Sequence, residues 1–251
     1  MRRLWCILAI TFSTFALWAQ TAEELVAKNI AAKGGMDKIK AIRSLRTSGK
    51  FQQGGITASW GEVAKAPDLL RNSLSLQGMS LIQAYDGSSG WQINPFEGRR
   101  DPELLGEDDL RDLVYQADFY GPLVDYKEKG NKIEYLGKDT VDGDDVYRLK
   151  VTLKNGDVTY YFLDPDTYLE IRTETQHFIR GSIRESVTNY GNYKQVNGVY
   201  YAFAIEQGPK GADPSSLAKF NLEKVEANAA VDDQTFKMPV VKSASSEKGK
   251  N

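Results

Sequence analysis

The stretch Tyr147-Arg148-Leu149-Lys150-Val151-Thr152-Leu153-Lys154-Asn155-Gly156-Asp157-Val158-Thr159-Tyr160-Tyr161-Phe162-Leu163 decides the fold. Tyr147, Leu149, Val151 and Leu153 alternate with Arg148, Lys150 and Thr152. A period of two sends the apolar side chains to one face and the polar ones to the other, the pattern of a half-buried strand. Asn155-Gly156 is a hairpin signal, because both residues accept the positive φ of a tight turn. Val158 to Leu163 runs back from it, and Asp164-Pro165-Asp166 turns the chain once more into 168–175. The same grammar extends in both directions. Leu70, Leu74 and Leu76 alternate with Arg71, Ser73 and Ser75, and Asn197-Gly198 joins 187–196 to 199–207. Strands this close in sequence leave no room for crossover helices, so they predict an antiparallel meander.

Two segments break the alternation. In residues 22–42, Ala22, Leu25, Val26, Ile30, Met36 and Ile39 fall near helical spacing, with Glu23 and Glu24 suited to the first turn. Gly34-Gly35 predicts a kink or a division into two helices. Further on, Leu110, Leu113, Val114 and Ala117 recur at i, i+3, i+4 and i+7. Pro102 near the start, acidic Glu107, Asp108 and Asp109, and the Gly121-Pro122 stop place this helix at about 103–118. A short helix with one apolar stripe, inserted among strands, suits a lid over the open side of a sheet.

The N-terminus reads as a cleaved export signal. Arg2 and Arg3 precede the apolar run from Leu4 to Phe15, and Leu17-Trp18-Ala19 supplies the small residue expected before cleavage at Gln20. The run falls short of the ~20 residues a bilayer span needs. Cys6, the one cysteine of the 251 residues, lies inside the run and leaves with it, so residues 20–241 must fold as one domain on core burial alone. Losing Arg2 and Arg3 takes 32 basic residues to 30 against 34 acidic ones, a net charge of −4. That balance argues against nucleic acid or an anionic membrane surface as partner. The Ser/Lys/Glu-rich tail 242–251 predicts disorder.

The inventory of reactive groups is short. His177 is the one histidine, with no partner at ligand spacing, so a metal site with several imidazoles, or a Ser-His-Asp arrangement with a spare base, has little to work with. Asp142, Asp144 and Asp145 lack the twelve-residue loop and distal glutamate of a calcium site and read as a turn. Asp164-Pro165-Asp166 reads the same way. No glycine loop for phosphates or dinucleotides occurs. The expectation is therefore no catalytic residue, no metal and no cofactor.

What the chain does carry is a wide apolar face. Trp60, Tyr85, Trp91, Phe96, Tyr147, Tyr160, Phe162, Tyr201 and Phe203 spread over most of the strands. Such side chains can fill a core or line a cavity, and the residues alone leave both open. The cavity reading, favoured by the scarcity of helix to cover so long a sheet, assigns to the ligand face Trp60, Leu74, Leu81, Trp91, Leu149, Val151, Tyr160, Phe162, Tyr201 and Phe203. Leu110, Leu113, Val114 and Ala117 are the lid residues.

Four stretches resemble the LolA-type carriers of outer-membrane lipoproteins, and within them the outer membrane lipoprotein-sorting proteins. They are Trp60 to Leu70, a strand, a proline turn and a strand; Ala84 to Phe96, with Asp86-Gly87, Trp91 and Asn94-Pro95-Phe96; Ala117 to Tyr126; and Asn189-Tyr190 through Val199. The resemblance implies an open half-barrel of about eleven antiparallel strands with an N-terminal helix and a helical lid over an apolar cavity. It implies a periplasmic monomer that carries acyl chains of lipoproteins or lipids, with inner- and outer-membrane transfer proteins as partners. In that group an arginine immediately before the strand-turn proline latches the lid. Here Ala66 stands before Pro67, and Lys65, one place earlier, belongs to the opposite face of the strand. Two other functions stay in view: a lipid-sensing or protein-interaction module of the same fold in envelope-stress signalling, and, from another class, a secreted hydrolase.

Overall fold

A computed structural model describes residues 20–179 and 181–240. The segments read as export signal and disordered tail lie outside them. α1 (Ala22–Lys33) opens with a reciprocal cap in which the Glu24 amide donates to Thr21 Oγ1 and the Thr21 amide to the Glu24 carboxylate, both at 3.1 Å. The expected break divides the segment into two helices, α2 being Met36–Ala41. Gly34 makes the junction possible. It holds φ 130°, and a Cβ there would lie 2.2 Å from the carbonyl oxygen of Gly198.

Thirteen strands follow: β1 (Ser44–Gln53), β2 (Ile56–Lys65), β3 (Leu69–Leu76), β4 (Met79–Tyr85), β5 (Gly90–Asn94), β6 (Arg99–Leu104), β7 (Lys132–Val141), β8 (Asp144–Thr152), β9 (Val158–Leu163), β10 (Glu170–Ile179), β11 (Ser182–Val196), β12 (Val199–Pro209) and β13 (Ala218–Ala227). They form one sheet in the order β6-β5-β4-β3-β2-β1-β13-β12-β11-β10-β9-β8-β7, every neighbouring pair antiparallel. The chain steps outward from β1 to β6, crosses to the far edge at β7, and returns to β13, which closes on β1. β6 and β7 do not pair, so the sheet stays open. It is a half-barrel of thirteen strands where about eleven were expected. Register shifts in β1, β5, β7 and β10 bend it.

The segment that crosses between the two edges contains α3 (Glu107–Ala117). The helix begins later than its sequence suggested, because Pro102 belongs to β6. On an edge strand a proline costs no ladder hydrogen bond. The turn between β8 and β9 is wider than a two-residue hairpin and spans 153–157, with the Leu153 amide donating to the Asp157 carbonyl at 2.8 Å. Asn197 and Gly198, at φ 48° and 82°, do make the two-residue turn between β11 and β12.

Three apolar clusters seat the helices on the sheet. Leu25 and Val26 of α1 pack with Leu123 on Leu149, Val151 and Leu163. Burying each of these side chains contributes about 1.5–3 kcal/mol. Ile39 and Ile42 pack with Val124 and Val199. Leu113 and Ala117 of α3 pack on Ala64, Leu70 and Leu105. Gly90 allows that approach, since a Cβ there would meet Leu110 Cδ1 at 2.7 Å. The opposite face of β1 to β5 is covered by the C-terminal segment. Arg46 and Lys65 donate to the carbonyls of Ala230 and Val231, Lys65 pairs with Asp233 at 2.6 Å, and fully buried Phe236 follows.

Candidate functional site

Between the concave face of the sheet and α3 lies a solvent-accessible cavity of about 620 Å³. Its apolar wall comes from β1, β2, β3, β4 and β13: Phe51, Trp60, Leu74, Leu81, Phe220 and Leu222. Trp60 and Phe51 meet Phe220 edge-on, with ring centroids 5.4 and 5.3 Å apart. The facing wall, from β9 to β11, is polar, with Tyr161, Thr173, Thr188, Tyr190 and Tyr193. Tyr193 donates to the Glu170 carbonyl at 2.7 Å, and the Tyr190 and Thr173 hydroxyls lie 3.1 Å apart. Burial pushes the Tyr190 and Tyr193 hydroxyls far up, so they stay protonated hydrogen-bonding groups. Tyr200, Tyr201 and Ala202 of β12 all reach the cavity at the point where β12, paired with β13 only over Ala204 to Gln207, parts from it.

The ten residues assigned to the ligand face divide by position. Trp60, Leu74, Leu81 and Tyr201 line the cavity. Leu149 and Val151 share a face with Tyr147 as the alternation required, but α1 covers them completely. Tyr160 and Phe162 are corrected by parity. Tyr161 is the inward residue of β9, while Tyr160 and Phe162 lie on the other face under the Arg148 guanidinium, 4.7 and 5.4 Å from it. Trp91 is also outward, paired across the strands with outward Ala84, and its indole Nε1 donates to the Phe236 carbonyl at 2.7 Å beneath the C-terminal segment. Phe203 is buried under the Lys194 ammonium at 4.6 Å and does not line the cavity. Asn192 at φ 51° interrupts the neighbouring strand at that level, so that Tyr190 and Tyr193, three residues apart, both face inward.

The four residues read as a lid stripe also divide by position. Leu113 and Ala117 are buried and Leu110 packs beside them, whereas Val114 is 42 % exposed. The helix is narrow enough that its apolar stripe is taken up by Ala64, Leu70 and Leu105. The lid residues over the cavity are Tyr115 and Gln116. The other flank of α3 is held by polar contacts. Arg111 donates twice to Asp157, at 2.9 and 2.5 Å, and the Asp157 side chain is 2 % exposed. Burial alone would raise the Asp157 carboxyl, but the Arg111 hydrogen bonds and charge, the neighbouring His177 and the Phe178 amide together outweigh it and hold it low. Asp112 lies 2.6 Å from His177 Nδ1, and the Tyr115 and Thr159 hydroxyls are 3.2 Å apart. His177, read from sequence as an ordinary surface or half-buried histidine without a ligand-spaced partner, is thus a buried contact of α3. At the β2–β3 turn, the Ala66 amide donates to the Arg43 carbonyl at 2.9 Å, and the Pro67 carbonyl accepts from the Phe119 amide at 3.1 Å. Arg111 thus ties α3 to the turn between β8 and β9.

Sequence reasoning missed a polar row that crosses the apolar wall. Thr47, Glu62, Asn72, Gln83 and Gln92 are successive cross-strand partners on β1 to β5. The signal was present: a period of two from Trp60 puts Glu62 on its face. Glu62 has no hydrogen bond or ion pair among the described residues, and burial pushes its carboxyl up to about 7. In the unfolded chain the same group titrates near 4.5. Between those values the native state holds more protons, so this group makes stability fall as pH rises through the interval. Glu62→Gln is therefore expected to raise stability at pH 8, by at most about 3 kcal/mol and with it the unfolding midpoint, and to change it little near pH 4. Thermal denaturation at both pH values checks this. An unchanged midpoint at pH 8 would place the carboxyl in water.

An open antiparallel half-barrel with a helical lid over a cavity is a LolA-type fold, and it defines this chain's class. No protein-family model and no curated protein matches the sequence. Solved structures do match. A LolA superfamily protein from Nitrosomonas europaea superposes with a TM-score of 0.58 at 11 % identity, over 87 % of this chain and 98 % of its own. A DUF1329 family protein from Desulfovibrio piger gives 0.59 at 13 %, over 86 % and 97 %. A domain provisionally assigned as an outer membrane lipoprotein-sorting protein, from Vibrio parahaemolyticus, gives 0.55 at 12 %, over 85 % and 94 %. At these identities the likeness is one of fold. Among the described residues no helix is long and apolar enough to cross a membrane.

Proposed function

We propose that this protein is a periplasmic, non-enzymatic carrier that takes the acyl part of a lipid or lipoprotein into the cavity beneath α3 and moves it toward the outer membrane. The observation that carries the reading is the apolar wall of Phe51, Trp60, Leu74, Leu81, Phe220 and Leu222 in a cavity of about 620 Å³. That volume lies within the ~300–1,000 Å³ common to small-molecule sites. Each methylene moved from water into such a space gains about 0.8 kcal/mol, so a chain of ten carbons gains roughly 8 kcal/mol before the costs of ordering it. A membrane leaflet holds the same chain by the same effect, which lets cargo exchange between the two at modest free-energy difference. The carrier acts as a monomer and hands its cargo between membrane-bound transfer proteins.

The test is native export followed by two measurements on one sample. N-terminal sequencing is expected to begin at Gln20, and mass spectrometry of the purified protein to find co-purifying acyl lipids. Protein that begins at Met1 and stays with the membrane after carbonate washing would contradict export. Exported protein with no lipid, and no affinity for added acyl chains, would contradict the carrier reading.

A further inference from the structure

We infer that the cavity selects amphiphiles whose polar group donates hydrogen bonds and is cationic, an amine above all, and that Glu62 with Asn72 is the site that receives it. The inference rests on the carrier reading and names the cargo chemistry of that same cavity. Three charged side chains line the cavity: Lys33, Glu62 and Glu170. Lys33 and Glu170 pair with each other at 3.1 Å and cancel. Glu62 is left as the one uncompensated charge on the lining, and no described residue donates to it.

Its cross-strand partner is Asn72, whose amide nitrogen donates to Gln116 of the lid at 3.3 Å. The other amide atom of Asn72, Oδ1, is buried without a partner. Directly opposed residues on one face stand roughly 4.5–5.5 Å apart at their Cβ atoms, so Glu62 and Asn72 are neighbours on the wall, each with an acceptor to which no described residue donates. They lie among Trp60, Leu74 and Leu81 on the apolar wall. Unsatisfied acceptors enclosed by protein are costly, and a ligand that donates to both removes the cost. An ammonium supplies three donors and the compensating charge, whereas a fatty-acid carboxylate supplies neither and is repelled. The lid joins in through Gln116, which ties the donor site to closure.

The experiment compares dodecylamine, dodecanol and dodecanoate at pH 8, below their micellar concentrations, by displacement of an environment-sensitive dye from the full-length mature protein. The amine is expected to bind about ten-fold or more tightly than the alcohol, the size of one charge-assisted hydrogen bond, and the acid most weakly. Glu62→Gln is expected to erase the difference between amine and acid, with its fold checked by circular dichroism. An acid that binds as well as or better than the amine, or a ranking that survives in Glu62→Gln, would overturn the inference. If the three bind equally, the donor site falls and the apolar carrier stands. If none binds, both fall. The wild-type ranking decides the matter even if the variant fails to fold.

Discussion

Replacing Arg111 with Met is expected to free the lid. Arg111 is the donor that compensates the Asp157 carboxylate, a side chain only 2 % exposed, whose remaining partners are the Asn155 side-chain amide and the Phe178 backbone amide. Removing one member of a buried pair leaves the other charge unmatched and costs about 3–5 kcal/mol; Arg111 is itself 30 % exposed, which brings the figure to roughly 2–4 kcal/mol. The loss falls on α3, because the apolar contacts of Leu113 and Ala117 hold its other flank only. Amide exchange across 107–117 should quicken by about 30- to 1,000-fold, while β8, on the far side of the Asp157 turn, keeps its protection. Adding Asp157→Asn to the Arg111→Met variant should recover part of the lost stability, since the orphaned charge is gone. Exchange rates in α3 that do not change would show that the apolar seat alone keeps the lid closed.

The second large effect separates core from cavity. Phe203→Ala removes a ring that is 6 % exposed and packed beneath Lys194, so it should lower stability by about 3–5 kcal/mol. Acyl-probe affinity of the folded fraction should stay near that of the parent. Trp60→Ala should do the reverse. Part of the Trp60 ring faces the cavity rather than packed protein, so its loss costs less stability than that of a core tryptophan, and probe binding should fall by about ten-fold or more. Equilibrium denaturation and dye displacement on the two variants separate the readings. If Phe203→Ala loses binding with little loss of stability, the cavity extends to a place where the structure has none, and the wall must be redrawn.

Part of the architecture was legible residue by residue. The alternation from Tyr147 to Val151, the Asn197-Gly198 turn and the glycine break at 34–35 are local matters of backbone freedom and period, and each element appears where those local rules put it. Parity along β2 was legible as well: Trp60, Glu62 and Ala64 share the inner face and Lys65 the outer one. Glu62 was passed over because a charged residue on a strand reads as solvent-facing when its neighbours across the sheet are unknown.

Which face is concave, and what covers it, is not a local matter. Leu149 and Val151 look like ligand contacts until α1, more than a hundred residues earlier, lies down on them. Trp91 and Phe162 look the same until the C-terminal segment and Arg148 claim the outer face. Alternation says that two residues share a side; it carries no sign for inside or outside, because a strand buried on both faces has the same period as one with a wet face. The lid follows the same rule. Its apolar stripe was determined by spacing within α3, but its latch joins Arg111 to Asp157 and Asp112 to His177 across 46 and 65 residues. Only the crossing of the chain from β6 to β7 brings those pairs within reach. The sequence by itself determined the alternating strands, the Asn197-Gly198 turn and which residues share a face in this protein. The tertiary structure decided which shared face became a cavity, because that depends on which distant segment arrives to fill it.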